Sequence, residues 1–143
     1  MKNTQLQLQT GFIDRLVDTD VIPQRVTDGY VNATAMCTAV RKQFSDYSRL
    51  SSTEAFIKEL SAVRGIPRTE LIQTIKGGSP HLQGTWVHPH VAINLAQWLS
   101  PKFAVLVSQW VFEWMSGNIQ QPNLPYHLKR YLANMPNVPY GYF

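Results

Sequence analysis

A chain of 143 residues, 44% hydrophobic and 11% aromatic, holds enough apolar material for one domain with a real core and too much for a disordered segment. Cys37 is the single cysteine, which excludes an intrachain disulfide and any multi-cysteine metal site. Residues 1–10 lack the apolar run of a signal peptide or membrane span, so an intracellular protein with no membrane partner is expected.

Taken in chain order, residues 1–31 read as strands. Leu6 and Leu8 alternate with Gln5, Gln7 and Gln9, and Val21-Ile22 precede a Thr27-Asp28-Gly29 turn signal. Asn32 is a good N-cap for a helix through Ala33, Ala35, Met36, Ala39 and Val40, because its side-chain oxygen can accept an unpaired backbone N–H. A second helix is expected after Ser51. Ser51 and Glu54 have capping-box spacing, Phe56, Ile57, Leu60 and Val63 follow at helical periodicity, and Arg64-Gly65 ends the run. A short helical segment over residues 67–74 then leads into a hairpin, whose ends Ile75 and Trp86-Val87 flank a loop rich in glycine and proline. Residues 91–99 read as a buried helix. Ser100 caps a further one with Pro101 at its first position, an apolar stripe of Phe103, Val107, Trp110, Val111 and Trp114, and a stop at Gly117. The expected organisation is a domain over residues 1–117 and a basic, aromatic, proline-rich arm over 118–143, where Lys129 and Arg130 lie.

The net charge of +4 and isoelectric point near 9.4 are modest, but the charge is unevenly placed. Between Arg41 and Lys102 there are eight Lys/Arg against four Asp/Glu, and no carboxylate occurs between Glu70 and Glu113. An anionic partner would meet little repulsion in that stretch. Gly77, Gly78 and Gly84 could let backbone N–H groups approach phosphate, or could serve the turn alone; both readings stand on spacing. The Gly-Lys-Ser/Thr ending of a nucleotide loop is missing. His81, His88 and His90 lack the cysteine or carboxylate neighbours of a metal site, so no metal or cofactor is expected. His88 is expected instead as a structural donor at the start of the next helix. Cys37, inside an alanine-rich helix, reads as an inert buried thiol, and the tryptophans read as core. The basic face lacks the clustered carboxylates that hold magnesium in a nuclease, so the chain is not expected to be an enzyme.

Four segments come in a particular order: Asp28-Gly29-Tyr30-Val31-Asn32-Ala33-Thr34, Lys76-Gly77-Gly78, Gly84-Thr85-Trp86-Val87-His88-Pro89, and Ala96-Gln97-Trp98-Leu99-Ser100-Pro101-Lys102-Phe103-Ala104. Together they resemble the KilA-N domain of phage, bacterial and large DNA virus proteins and, more distantly, the APSES DNA-binding domain of fungal transcription factors, over residues from about Val21 to Met115. The resemblance implies an α+β, winged-helix-like fold in which the glycine-rich hairpin is the wing and a preceding helix joins it at double-stranded DNA. It places Lys76, Gly77, Gly78, Ser79, His81 and Gln83 on the wing, and Arg49, Ser51, Ser52 and Lys58 near the start of the helix facing DNA. Lys102 is added as a phosphate contact. Fungal relatives carry a glutamine on each side of the glycine pair and loop; here the second is Gln83, whereas the first position holds Lys76. Sequence preference is therefore not transferred. The implied function is sequence-dependent DNA binding in phage-type transcriptional or antirepressor regulation. The alternative is a protein-interaction module that binds a repressor or other protein with little DNA contact.

Overall fold

The computed structural model describes residues 11–117, which form a five-stranded antiparallel sheet and six α-helices. The expected strand content of residues 1–10 and the arm over 118–143 lie outside the described residues. β1 (Phe12–Val17) and β2 (Asp20–Arg25) form a hairpin with Asp18 at φ +56° in its turn. The Thr27-Asp28-Gly29 signal is a turn as expected, closed by backbone bonds between Arg25 and Tyr30 (2.8 Å) and between Gly29 and Arg25 (2.9 Å). Next come β3 (Val31–Asn32), β4 (Ile72–Ile75) and β5 (Gly84–Val87), in sheet order β1-β2-β3-β5-β4.

The helices are α1 (Ala33–Ala39), α2 (Phe44–Ser48), α3 (Ser51–Arg64), α4 (Arg68–Leu71), α5 (Pro89–Leu99) and α6 (Pro101–Ser116). Asn32 caps α1 by accepting the Ala35 N–H at 3.0 Å. Ser100 caps α6 by accepting that of Phe103 at 3.1 Å, with Pro101 at the first helical position. Gly65 and Gly117 end α3 and α6 in the left-handed conformation. The core joins Ile22, Val31 and Val87 of the sheet to Met36 of α1, Val91 and Leu95 of α5, and Phe103 and Val107 of α6. Each such fully buried side chain contributes about 1.5–3 kcal/mol. A buried cation lies within this packing. Arg15 donates to Gln24 Oε1 (2.9 Å), Glu113 Oε1 (2.9 Å) and the Trp110 carbonyl (3.1 Å), which satisfies its guanidinium and pins α6 across β1 and β2.

Several local expectations change. Residues 72–74 are strand, not helix, because Ile72, Gln73 and Thr74 pair with Val87, Trp86 and Thr85, and cross-strand pairing outweighs a weak helical preference. The Ser51–Glu54 capping box does not form: Leu50 is the N-cap of α3, with no side-chain cap bond, and Glu54 pairs with Arg68 at 3.1 Å. Ile57 and Leu60 are buried and Phe56 is half-buried, but Val63 is 76% exposed. Helix α2 was not expected at all. Its Tyr47 is buried and donates to Asn94 Oδ1 at 2.6 Å, so packing against α5 supports a turn with no side-chain cap of its own.

Candidate nucleic-acid interface

The β4–β5 ladder runs from Ile72 opposite Val87 to Ile75 opposite Gly84, so the two strands are joined by residues 76–83. This loop is built, not loose. It contains a single 3-10 turn (Pro80–Leu82). Trp86 is 1% exposed and donates its Nε1–H to the Leu82 carbonyl at 2.9 Å. Gln83 donates its side-chain amide to the Gly78 carbonyl at 3.0 Å, closing the loop on itself. Lys76, Gly77, Gly78 and Ser79 are thereby left exposed at the tip, and Lys76 has no ion pair among the described residues.

The loop is also fastened to the start of α1. Asn32, 2% exposed, donates to the Gln83 carbonyl at 3.1 Å, and the Thr34 hydroxyl accepts the Thr85 N–H at 2.9 Å. Gly84 lies between these bonds at φ +122°, and a Cβ there would come within 2.8 Å of Thr34 Oγ1 and 2.9 Å of Thr34 Cβ. Glycine is thus required twice over, by the backbone angle and by the contact.

Strand register places further residues. β5 runs away from the loop, β3 pairs with it at Val31–Val87, and Gln24 of β2 is opposite Val31. Asp20 and the β1–β2 turn therefore lie at the same end of the sheet as the hairpin loop. At that end Lys102 pairs with Asp18 at 3.1 Å, and His81 reaches Asp14 at 3.2 Å. Lys42 comes close by: its ammonium stands 4.6 Å from the Trp98 ring centre and donates to the Trp98 and Leu99 carbonyls, at the end of α5 next to Ser100. The carboxylate-free stretch is thus not free of carboxylates in space. The fold brings Asp14 and Asp18 to it from β1 and its turn.

Arg49, Ser51, Ser52 and Lys58 form a separate group on α2 and α3. All four are exposed; Arg49 pairs with Asp46, and Lys58 lines a shallow groove with Glu54, Ser61 and Arg68. Among the described residues no hydrogen bond or ion pair joins this group to the hairpin. Lys42, Asn32 and Thr34 make long-range contacts around this end of the sheet that no local sequence signal announces. Asn32 was legible as a cap, but its second bond depends on a residue 51 positions away.

His88 is an acceptor, not a donor, in its capping role: its Nδ1 takes the His90 N–H at 3.0 Å. Burial, reinforced by His90 and Arg64, lowers its pKa to about 4, which keeps that nitrogen free to accept. Burial likewise pushes the Cys37 thiol up to about 11, so it carries negligible thiolate at neutral pH. Among the described residues no group of three or more His, Cys, Asp or Glu could hold a metal ion, and no helix is long and apolar enough to cross a membrane.

Residues 14–117 match the KilA-N domain family. Among curated proteins, one KilA-N domain-containing protein of Acanthamoeba polyphaga mimivirus is 36% identical over 87 residues, covering 60% of this chain and 23% of that protein. A second from the same virus is 34% identical over 93 residues, covering 61% of this chain and 26% of its own length. The chain therefore spans about a quarter of these relatives. No solved structure matches it.

Proposed function

The chain belongs to the KilA-N domain family, and from that premise we propose that it binds duplex DNA, with the β4–β5 hairpin acting as the wing of a winged-helix-like domain. The observation that carries this reading is the exposed Lys76-Gly77-Gly78-Ser79 tip on a loop held by Trp86, Gln83 and Asn32. A preformed basic loop loses little conformational freedom when it meets a phosphate backbone. Lys76 supplies a charge for phosphate, and Lys102, at the same end of the sheet, supplies a second once phosphate replaces Asp18. Gly77 and Gly78 allow close backbone approach, and Ser79 and His81 add donors. Arg49, Ser51, Ser52 and Lys58 form the helical face. Gln83 is assigned the base contact: one amide proton is held by Gly78, leaving Oε1 and the second proton to read a base edge. The reading is of a binding module without a catalytic step, acting in transcriptional or antirepressor regulation.

Selection of bound sites from random duplex DNA, followed by salt titration, tests the proposal. Affinity should fall by about 0.9 log unit per log unit of salt for each phosphate contacted. Lys76→Ala should weaken preferred and random DNA alike and reduce the slope by about one unit. Gln83→Ala should cost about 1–3 kcal/mol on the preferred site and little on random DNA. Equal losses on both would reduce the hairpin to a phosphate clamp.

A second reading, docking of a repressor or other protein, draws on Leu16 and Val21. They lie opposite each other across β1 and β2 and are 65% and 38% exposed. Binding through that pair would be nearly insensitive to salt.

A further inference from the structure

We infer that Asn32 and Thr34 are positioning residues that lock the hairpin onto the start of α1 and so set the orientation in which its loop meets DNA. The inference rests on the DNA-binding reading above. Strand β3 has only two residues, because Asn32 caps α1 and the chain turns into helix at Ala33. Continued past its end, the register Val31–Val87, Asn32–Trp86 would set Ala33 opposite Thr85 and Ala35 opposite Gln83. A helical backbone cannot bond to those positions, so two polar groups of β5 and the loop would lose their ladder partners. Side chains take over. The Thr34 hydroxyl accepts the Thr85 N–H at 2.9 Å, and Asn32 Nδ2 donates to the Gln83 carbonyl at 3.1 Å. Residues 83 and 85 face the same side of an extended strand, so the two bonds act as one continued rung pair. Gly84, between them, fits against Thr34 with no space for a Cβ.

Asn32 serves both elements at once, since its Oδ1 caps α1 while its Nδ2 holds the loop. The helix start and the hairpin loop therefore move as one body. The exposed tip, the Gln83 amide and the first turn of α1 keep a fixed relation that a hairpin joined only through the two-residue β3–β5 pairing would not have.

Thr34 is exposed, which makes Thr34→Val a mild, nearly isosteric removal of the acceptor; Thr34→Ser is the conservative control. In the full chain, amide hydrogen exchange at Thr85 should accelerate about three- to tenfold in Thr34→Val, the range of one neutral hydrogen bond, and return toward the parent rate in Thr34→Ser. Affinity for the selected DNA site should fall by a similar factor and more than affinity for random DNA, because orientation serves the base contact and charge does not depend on it. Asn32→Ser, which keeps a cap acceptor but lacks the reach to Gln83, should act in the same direction. Unchanged Thr85 exchange in Thr34→Val overturns the inference. Faster exchange with an unchanged ratio of selected to random affinity overturns the positioning role. If the parent chain binds no duplex at all, the proposed function fails and the positioning role fails with it, while Thr85 exchange still decides whether the lock exists.

Discussion

The three glycines of the hairpin should respond to alanine in a graded series that the geometry sets. Gly77 has ordinary backbone angles and nothing within 4 Å of an added Cβ; Gly78 has equally open space but φ +81°; Gly84 combines φ +122° with 2.8 and 2.9 Å contacts to Thr34. Gly77→Ala should therefore stay within about 0.5 kcal/mol of the parent. Gly78→Ala should cost about 1 kcal/mol for the left-handed backbone. Gly84→Ala adds a forbidden backbone angle, about 1–3 kcal/mol, to overpacking against Thr34, another 1–3 kcal/mol or so. The sum of about 2–6 kcal/mol is a large share of a domain stability of about 5–15 kcal/mol, and corresponds to roughly 10–25 °C in Tm. Urea unfolding with a shared m-value measures the series. A Gly84→Ala variant as stable as Gly77→Ala would refute the reasoning, because it would mean that the loop and α1 are not in the close contact on which both the hairpin geometry and the Thr34 bond depend.

Stability should also carry a histidine signature in acid. The folded pKa of His88, near 4 against an ordinary 6.5, means the unfolded chain takes up the proton first, so this group makes the fold lose stability as pH falls from about 6.5 to about 4, by on the order of 1–3 kcal/mol, and adds no further loss below that. His88→Asn, which keeps a cap acceptor, should flatten that part of the urea midpoint–pH curve; an unchanged curve would assign the acid sensitivity elsewhere. Cys37, 2% exposed with its thiol at about 11, should react with a disulfide reagent only on unfolding. Rapid labelling of the native chain at pH 7 would contradict its burial.

Signals that act within a few residues were legible directly. The Asn32 and Ser100 caps, the Gly65 and Gly117 stops and the two ends of the hairpin follow from neighbouring side chains and backbone preferences, and the structure places each where those preferences put it. The motif order carried the family. Where a segment's state depended on a distant partner, local pattern misled. Residues 72–74 became strand because β5 was there to pair with them, and α2 exists because Tyr47 could bury itself and reach Asn94. The candidate interface divides in the same way. Its exposed tip residues were recognisable from glycine, lysine and serine in a row, but the state of each charge was not. Sequence showed a long stretch without carboxylates; folding set Asp14 against His81 and Asp18 against Lys102, pairs separated by 67 and 84 positions. The same holds for the bond from Asn32 to Gln83, 51 positions apart. Propensities and caps differ by a fraction of a kcal/mol to about one and act over a turn or two. Which aspartate meets which cation, and which carbonyl meets which amide, is determined when the sheet closes and burial, worth more than either, fixes the register.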